Sequence, residues 1–117
     1  MSLSSFFIIV LAVLMNVYGQ LIMKWQVTSV EFDGGWLSYV SFLLRPWVIS
    51  GFVAVFGGSL LWLYALNKVD LSMAYPVMGL SFLFILFGSF MFFDEQLTST
   101  KMIGNIVIVV GVIIATR

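Results

Sequence analysis

Four apolar stretches, each close to the length needed to cross a bilayer, constrain this chain more than any other feature. Spanning about 30 Å of hydrocarbon at a 1.5 Å rise takes ~20 mostly apolar helical residues. The stretches cover about residues 3–23, 47–66, 71–93 and 101–116. The last is the shortest and spans only with little tilt or a locally thinned bilayer. With 62% hydrophobic and 9% charged residues in 117, against ~45–50% and ~25% in soluble domains, the expectation is an all-α integral membrane protein. It is read as a single four-span domain over residues 1–117. The first stretch is too long for a signal-peptide core, has no Lys or Arg before it and no small-residue cleavage site after it, so it is read as mature structure.

The chain has no cysteine and no histidine. That excludes a disulfide framework, a cysteine nucleophile, a histidine base and a zinc site of the usual nitrogen and sulfur kind. Neither metal nor cofactor is expected. Five basic residues balance five acidic ones, so no basic face exists to neutralise nucleic-acid phosphates. The expected surroundings are membrane lipids.

The links after the second and third spans are a few residues long, which predicts antiparallel neighbours in a compact bundle. The first link, about residues 25–45, is longer. Its second half, with Trp36, Leu37, Tyr39, Val40, Phe42, Leu43 and Leu44, either lies as a short amphipathic helix in the headgroup layer or begins the second span early. Lys24, Arg45 and Lys101 fall on one side of the membrane; Lys68, Arg117 and the amino terminus fall on the other. Three against two is too small a bias to orient the chain. Both termini outside, dual insertion, and orientation by a partner subunit all remain open.

Polar groups within hydrocarbon are expensive and are candidates for function. Asn16, Gln20 and Lys24 recur every four residues on one face of the first span, drifting ~40° per step. They form either the polar wall of a cavity, with Lys24 offering a charge to an anionic headgroup, or interhelical hydrogen bonds with a snorkelling lysine. In the third span Asp70 is placed to cap the helix. Pro76 predicts a kink or break that frees the carbonyl of Ser72. Ser72, Tyr75, Gly79 and Phe82 share a face that can line the Asn16 cavity. Asp94 reads as a solvated helix end; Glu95 is placed to meet Lys24, Lys101 or a cationic ligand.

Gly51, Ala54, Gly58 and Ala65 form a small-residue stripe in the second span, and Gly104, Gly111 and Ala115 form one in the fourth; both predict close helix approach. Phe84, Phe87, Phe90 and Phe92 are expected to face lipid or partner helices. No acidic residue lies in the middle of any span. A proton-driven exporter of hydrophobic cations needs a buried carboxylate to exchange proton for cargo, and this chain lacks one there.

These residues resemble the small four-helix proteins of the drug/metabolite transporter superfamily. The stretch from Asn16 to Lys24 is similar to the segment of small multidrug resistance proteins in which an essential glutamate precedes a glycine and a lysine; Asn16 stands at the glutamate position, while Gly19 and Lys24 match. Ser72 to Pro76 resembles the family's Ala-Tyr segment, with Tyr75 as the functional tyrosine and Met78 where a tryptophan is expected. Asp94-Glu95, Ile103-Gly104 and Gly111-Val112 resemble the turn and Gly-rich last helix. Gly19-Gln20 with Lys24, Ala74-Tyr75-Pro76 and Leu80-Ser81-Phe82 bring the chain closest to the paired flippase subunits for aminoarabinose-phosphoundecaprenol.

The resemblance implies a translocase for a polyprenyl-phosphate lipid, most simply one carrying a sugar, in the bacterial inner membrane, working as a homodimer or as a heterodimer with a similar small subunit. The phosphate would meet Lys24, helped by Arg45, and the headgroup would cross a cleft formed by Asn16, Gln20, Ser72 and Tyr75, with no covalent step. Glu95 and Pro76 would serve coupling or gating. Two rivals stand beside it. One is a small-molecule or cation exporter with Glu95 as the coupling carboxylate; the other is an accessory subunit of a glycosyltransferase.

Overall fold

A computed structural model describes residues 2–31 and 34–117. Its described residues form six helices and no strand: α1 (Leu3–Thr28), α2 (Trp36–Leu43), α3 (Pro46–Leu66), α4 (Leu71–Met78), α5 (Leu80–Phe93) and α6 (Ser99–Ala115). Three helical stretches are long and apolar enough to cross a membrane: α1, α3, and α4 with α5 taken together; α6 is shorter. At 17 residues, α6 reaches only about 25 Å.

Local chemistry sets most of the boundaries. The Ser2 hydroxyl accepts from the Ser5 N–H at 3.2 Å and starts α1. Pro46 opens α3, where its missing N–H leaves nothing unsatisfied. The Thr98 hydroxyl accepts from the Lys101 N–H at 3.2 Å and starts α6. α1 continues past Lys24 to Thr28, whose hydroxyl donates to the carbonyls of Lys24 and Trp25 at 2.9 and 3.0 Å. The first link is therefore shorter than its sequence suggests, and its second half is the separate helix α2. On that helix Phe42 is buried, while Trp36, Leu37, Tyr39, Val40 and Leu43 are exposed.

Two expectations for the third span are corrected. Asp70 stands at the N-cap of α4, but its side chain makes no capping bond; its backbone carbonyl accepts from Met73 and Ala74 instead. The interruption falls at Gly79, three residues after Pro76, which lies inside α4. There the Gly79 N–H donates to the carbonyls of both Tyr75 and Pro76, tightening one turn.

The bundle is open, and α1 is its hub. α1 packs on α3, α4 and α5, whereas α6 packs on α4 and α5 and makes no close approach to α1 or α3. The second and third spans meet only weakly, through α4, since both are held chiefly by α1. Of the expected sequential neighbours, the third and fourth spans do pack together through α4, α5 and α6, while the second and third touch only through α4. The Cα extents, 49 × 36 × 20 Å, describe a slab about two helix diameters thick.

Glycine lets α1 and α3 approach. A Cβ built on Gly19 would meet Val55 and would lie 2.9 Å from the Gly51 carbonyl oxygen; one on Gly58 would lie 3.0 Å from the Ala12 oxygen. The main core joins Ile9, Val13 and Val17 of α1 to Ala65, Val69, Ala74 and Val77. Further along, Leu21 packs over Gly88 of α5, where an added Cβ would lie 2.8 Å from Leu21 Cδ1. The order of these contacts shows that α1 and α5 run in the same direction. Ser2, Leu3, Phe6 and Thr116 line one cleft, so the chain's two ends share one end of the bundle.

α6 differs. It has no buried residue, and an added Cβ at Gly104 or Gly111 would meet nothing within 4 Å. The expected close approach along this stripe is not made within the chain. Phe84, Phe87, Phe90 and Phe92 are exposed, as expected of outward-facing positions.

Candidate functional site

The end of the bundle opposite the termini collects Lys24, Arg45, Glu95 and Lys101. α1 and α5 both reach it with their C-terminal turns, so the charges that follow each apolar run come together there. Asp94 adopts a left-handed conformation (φ 53°), which short polar side chains tolerate better than most. It turns the chain so that both the Asp94 and Glu95 N–H groups donate to the Ser89 carbonyl. Glu95 is thereby carried back toward α1, and its Oε1 lies 3.8 Å from Lys24 Nζ. The side chains are 52% and 42% exposed, so the pair is wet and opens at little cost. Lys101 Nζ instead donates to the Gln96 carbonyl at 3.1 Å.

Two concavities flank this pair. A wide cleft of about 670 Å³ is lined by Phe90, Met91, Asp94, Glu95, Gln96, Leu97 and Thr98. An apolar groove of about 380 Å³ runs between α1 and α5, lined by Tyr18, Leu21, Ile22, Trp25, Phe92 and Phe93. Its α1 wall is fastened to α3 at two points. The Trp25 and Trp47 rings meet edge to face at 5.5 Å, and Tyr18 Oη lies 3.3 Å from Ser50 Oγ. Since Ser50 gives its hydroxyl proton to the Trp47 carbonyl at 2.6 Å, Tyr18 is the donor.

Arg45 precedes α3 and lines a separate cleft of about 340 Å³ with Val30, Glu31, Ser38, Ser41 and Phe42. It shares the membrane face of Lys24 but not the same concavity.

Asn16 lies eight residues before Lys24, about 12 Å deeper along the helix axis. It lines a small cavity of about 180 Å³ with Ala12, Val55, Gly58, Ser59, Trp62 and Met78. Tyr75 borders this region by packing edge-on against Trp62, ring centres 5.4 Å apart. Gln20 is exposed on α1, and Ser72 is exposed in the first turn of α4, near the opposite membrane face. Gly79 faces α6, where its Cβ would meet Val112 and Ile108. The expected face of Ser72, Tyr75, Gly79 and Phe82 therefore does not line the Asn16 cavity as a unit; of the third span's residues Met78 does.

Trp62, Ser59, Tyr18 and Trp25 escaped the reading of the sequence. The signal for Trp62 was its place one turn beyond Gly58, beside the small-residue stripe. Its indole stands against Tyr75, near the position where Met78 replaces an expected tryptophan. Among the described residues no group of three or more His, Cys, Asp or Glu could hold a metal ion.

Long apolar helices around a small, mostly apolar cavity that Asn16 and Ser59 border, with wet charges at one end, fit a multi-pass membrane protein. The match of the EamA-like transporter family model to residues 1–117 is complete in extent, and the chain belongs to that family. It is 35% identical over 107 residues to the probable 4-amino-4-deoxy-L-arabinose-phosphoundecaprenol flippase subunit ArnE of Aeromonas salmonicida, covering 92% of each chain. It is 33% identical to the ArnE of Aeromonas hydrophila, again over 92% of each. The similarity extends to the second kind of subunit, the probable flippase subunit ArnF of Photorhabdus laumondii, at 30% identity and 92% of each chain. No solved structure matches the chain significantly.

Proposed function

We propose that this protein is one subunit of a translocase that moves a polyprenyl-phosphate-linked sugar across the bacterial inner membrane, with no covalent step. The observation that carries the reading is the placement of Lys24: a half-exposed cation near the C-terminal end of α1, paired among the described residues with a wet carboxylate and preceding Trp25, which lines an apolar groove. A lipid phosphate takes the place of Glu95 beside Lys24; the half-exposed ion pair opens at little cost, and Glu95 stays solvated at its helix end. Arg45, on the same membrane face, is a second anchor for an approaching anionic headgroup. Asn16, Gln20, Ser72 and Tyr75 mark successive depths along the route of the headgroup, and Pro76 with Gly79 supplies the bend about which the third span yields.

A route strung out in this way is not enclosed by one chain. A slab 20 Å thick with a bare α6 supports a two-subunit assembly, either of identical chains or with a similar small subunit. Likeness to both ArnE and ArnF supports the heterodimer. A cation exporter coupled through Glu95 is less well supported, because that carboxylate lies at the helix end and already faces Lys24.

The test uses the protein, with its partner subunit where one is required, in liposomes containing a polyprenyl-phosphate sugar and an impermeant reagent outside. Modification of all headgroups is the expected result for the native chain. With Lys24→Ala it falls back to the outer-leaflet share while the protein stays folded, and Lys24→Arg restores part of the flux. Full transport by Lys24→Ala would remove the proposed role.

A further inference from the structure

We infer that the groove between α1 and α5 is a subsite for the prenyl chain of the lipid, receiving the isoprene units nearest the phosphate while the phosphate is at Lys24. This deepens the reading above and rests on it. Tyr18, Leu21, Ile22 and Trp25 recur at i, i+3, i+4 and i+7, so they form one continuous face of α1. Phe92 and Phe93 close the groove from α5. Lys24 precedes Trp25 in the chain and lies one turn (i+3) beyond Leu21, on the face beside the groove, and Glu95 follows Phe93 by two residues. From Trp25 the groove descends two turns to Tyr18, about 10 Å toward the membrane centre. A phosphate on Lys24 therefore has a slot leading from it in the direction its tail must take.

Three properties select the occupant. The groove holds about 380 Å³, room for a short stretch of one chain, which suits the single tail of a prenyl phosphate rather than the paired acyl chains of a glycerophospholipid. It is shaped before binding, because Tyr18 is held by Ser50, Trp25 by Trp47 and Leu21 by its seat on Gly88; preorganisation of this kind removes ordering cost from binding. Four of its six lining side chains are aromatic, and ring faces suit the planar double bonds and methyl branches of an isoprenoid better than a mobile straight chain.

Native mass spectrometry of the detergent-purified protein, with its partner subunit where the assembly requires one, tests this with undecaprenyl phosphate, undecaprenol and phosphatidylglycerol as probes. The native chain is expected to retain undecaprenyl phosphate over phosphatidylglycerol by about tenfold or more, equivalent to ~1.4 kcal/mol. Ile22→Trp, which fills the groove, is expected to abolish that preference. Phe92→Ala, which removes a wall at a position 71% exposed and so outside the core, is expected to lower it several-fold with folding intact. Retained preference in Phe92→Ala and in folded Ile22→Trp, together with its loss in Lys24→Ala, would overturn the groove and leave the phosphate reading standing. Equal retention of undecaprenol and its phosphate, with preference lost in the groove variants, would keep the groove and overturn the phosphate reading. Equal binding of phosphatidylglycerol by the native chain would make the groove a general lipid contact and overturn its selectivity.

Discussion

The seam between α1 and α3 and the free face of α6 carry the same sequence signal and meet opposite fates. Both present glycine at seven-residue intervals, Gly51 and Gly58 in one, Gly104 and Gly111 in the other. In the seam the backbones come so close that a single added carbon at Gly19 or Gly58 would strike a carbonyl oxygen of the facing helix. On α6 the same carbon would meet nothing. A small-residue stripe thus states that a helix can be approached closely; it does not state by what. Without a hydrophobic driving force between helices in lipid, packing goes to the partner whose shape fits, and within this chain α1 takes that place.

The sharpest way to break the comparison is to crowd the seam. Gly19→Val should destabilise the protein by well over the ~1–3 kcal/mol usual for overpacking, because the obstruction is backbone and no rotamer relieves it. The measurement is recovery of folded, monodisperse protein in detergent and its thermal midpoint; a native-like midpoint would mean that the seam is looser than described. A smaller effect is expected at the edge of the same seam. Trp62→Leu removes the edge-on contact with Tyr75, worth about 0.5–1.5 kcal/mol beyond the area buried, and enlarges the Asn16 cavity. Headgroup transport should fall more than stability does, and an unchanged flux would separate Trp62 from the route. The smallest effect belongs to α6. Gly104→Ala and Gly111→Ala should be neutral or stabilise by up to about 1 kcal/mol, from helix propensity alone. A loss of more than about 1 kcal/mol in the same assay would instead show that another chain covers this face in the particle measured.

Much of the fold was readable because its signals are local. Lengths of apolar run located the helices, Pro46 marked the start of α3, and the amphipathic stretch after Gly35 became α2. Lys24 meeting Glu95 was among the readable possibilities, since both follow the apolar part of a helix and those ends fall on one membrane face. The phase of each helix was harder to read. In a soluble helix the polar face names the side that meets water, but here lipid-facing and protein-facing positions are equally apolar. That is why the face from Ser72 to Phe82 was expected on the Asn16 cavity while Gly79 turns to α6 and Met78 takes the place. Trp62 was missed for the same reason: a tryptophan in an apolar helix looks the same whether it meets lipid or a tyrosine.

The sequence by itself determined that the chain is helical and apolar enough for a membrane, roughly where its long helices begin, and that its charges sit at helix ends and in links. These follow from the cost of unsatisfied backbone and charge in hydrocarbon, which each segment answers alone. Only the tertiary structure decided that α1 is the hub, that one glycine stripe is filled and the other bare, that Asn16 shares its cavity with Trp62, and that an apolar groove forms between Tyr18, Leu21, Ile22 and Trp25 of α1 and Phe92 and Phe93 of α5. Those depend on which surfaces fit at van der Waals distance, a property of pairs of helices that no single segment encodes.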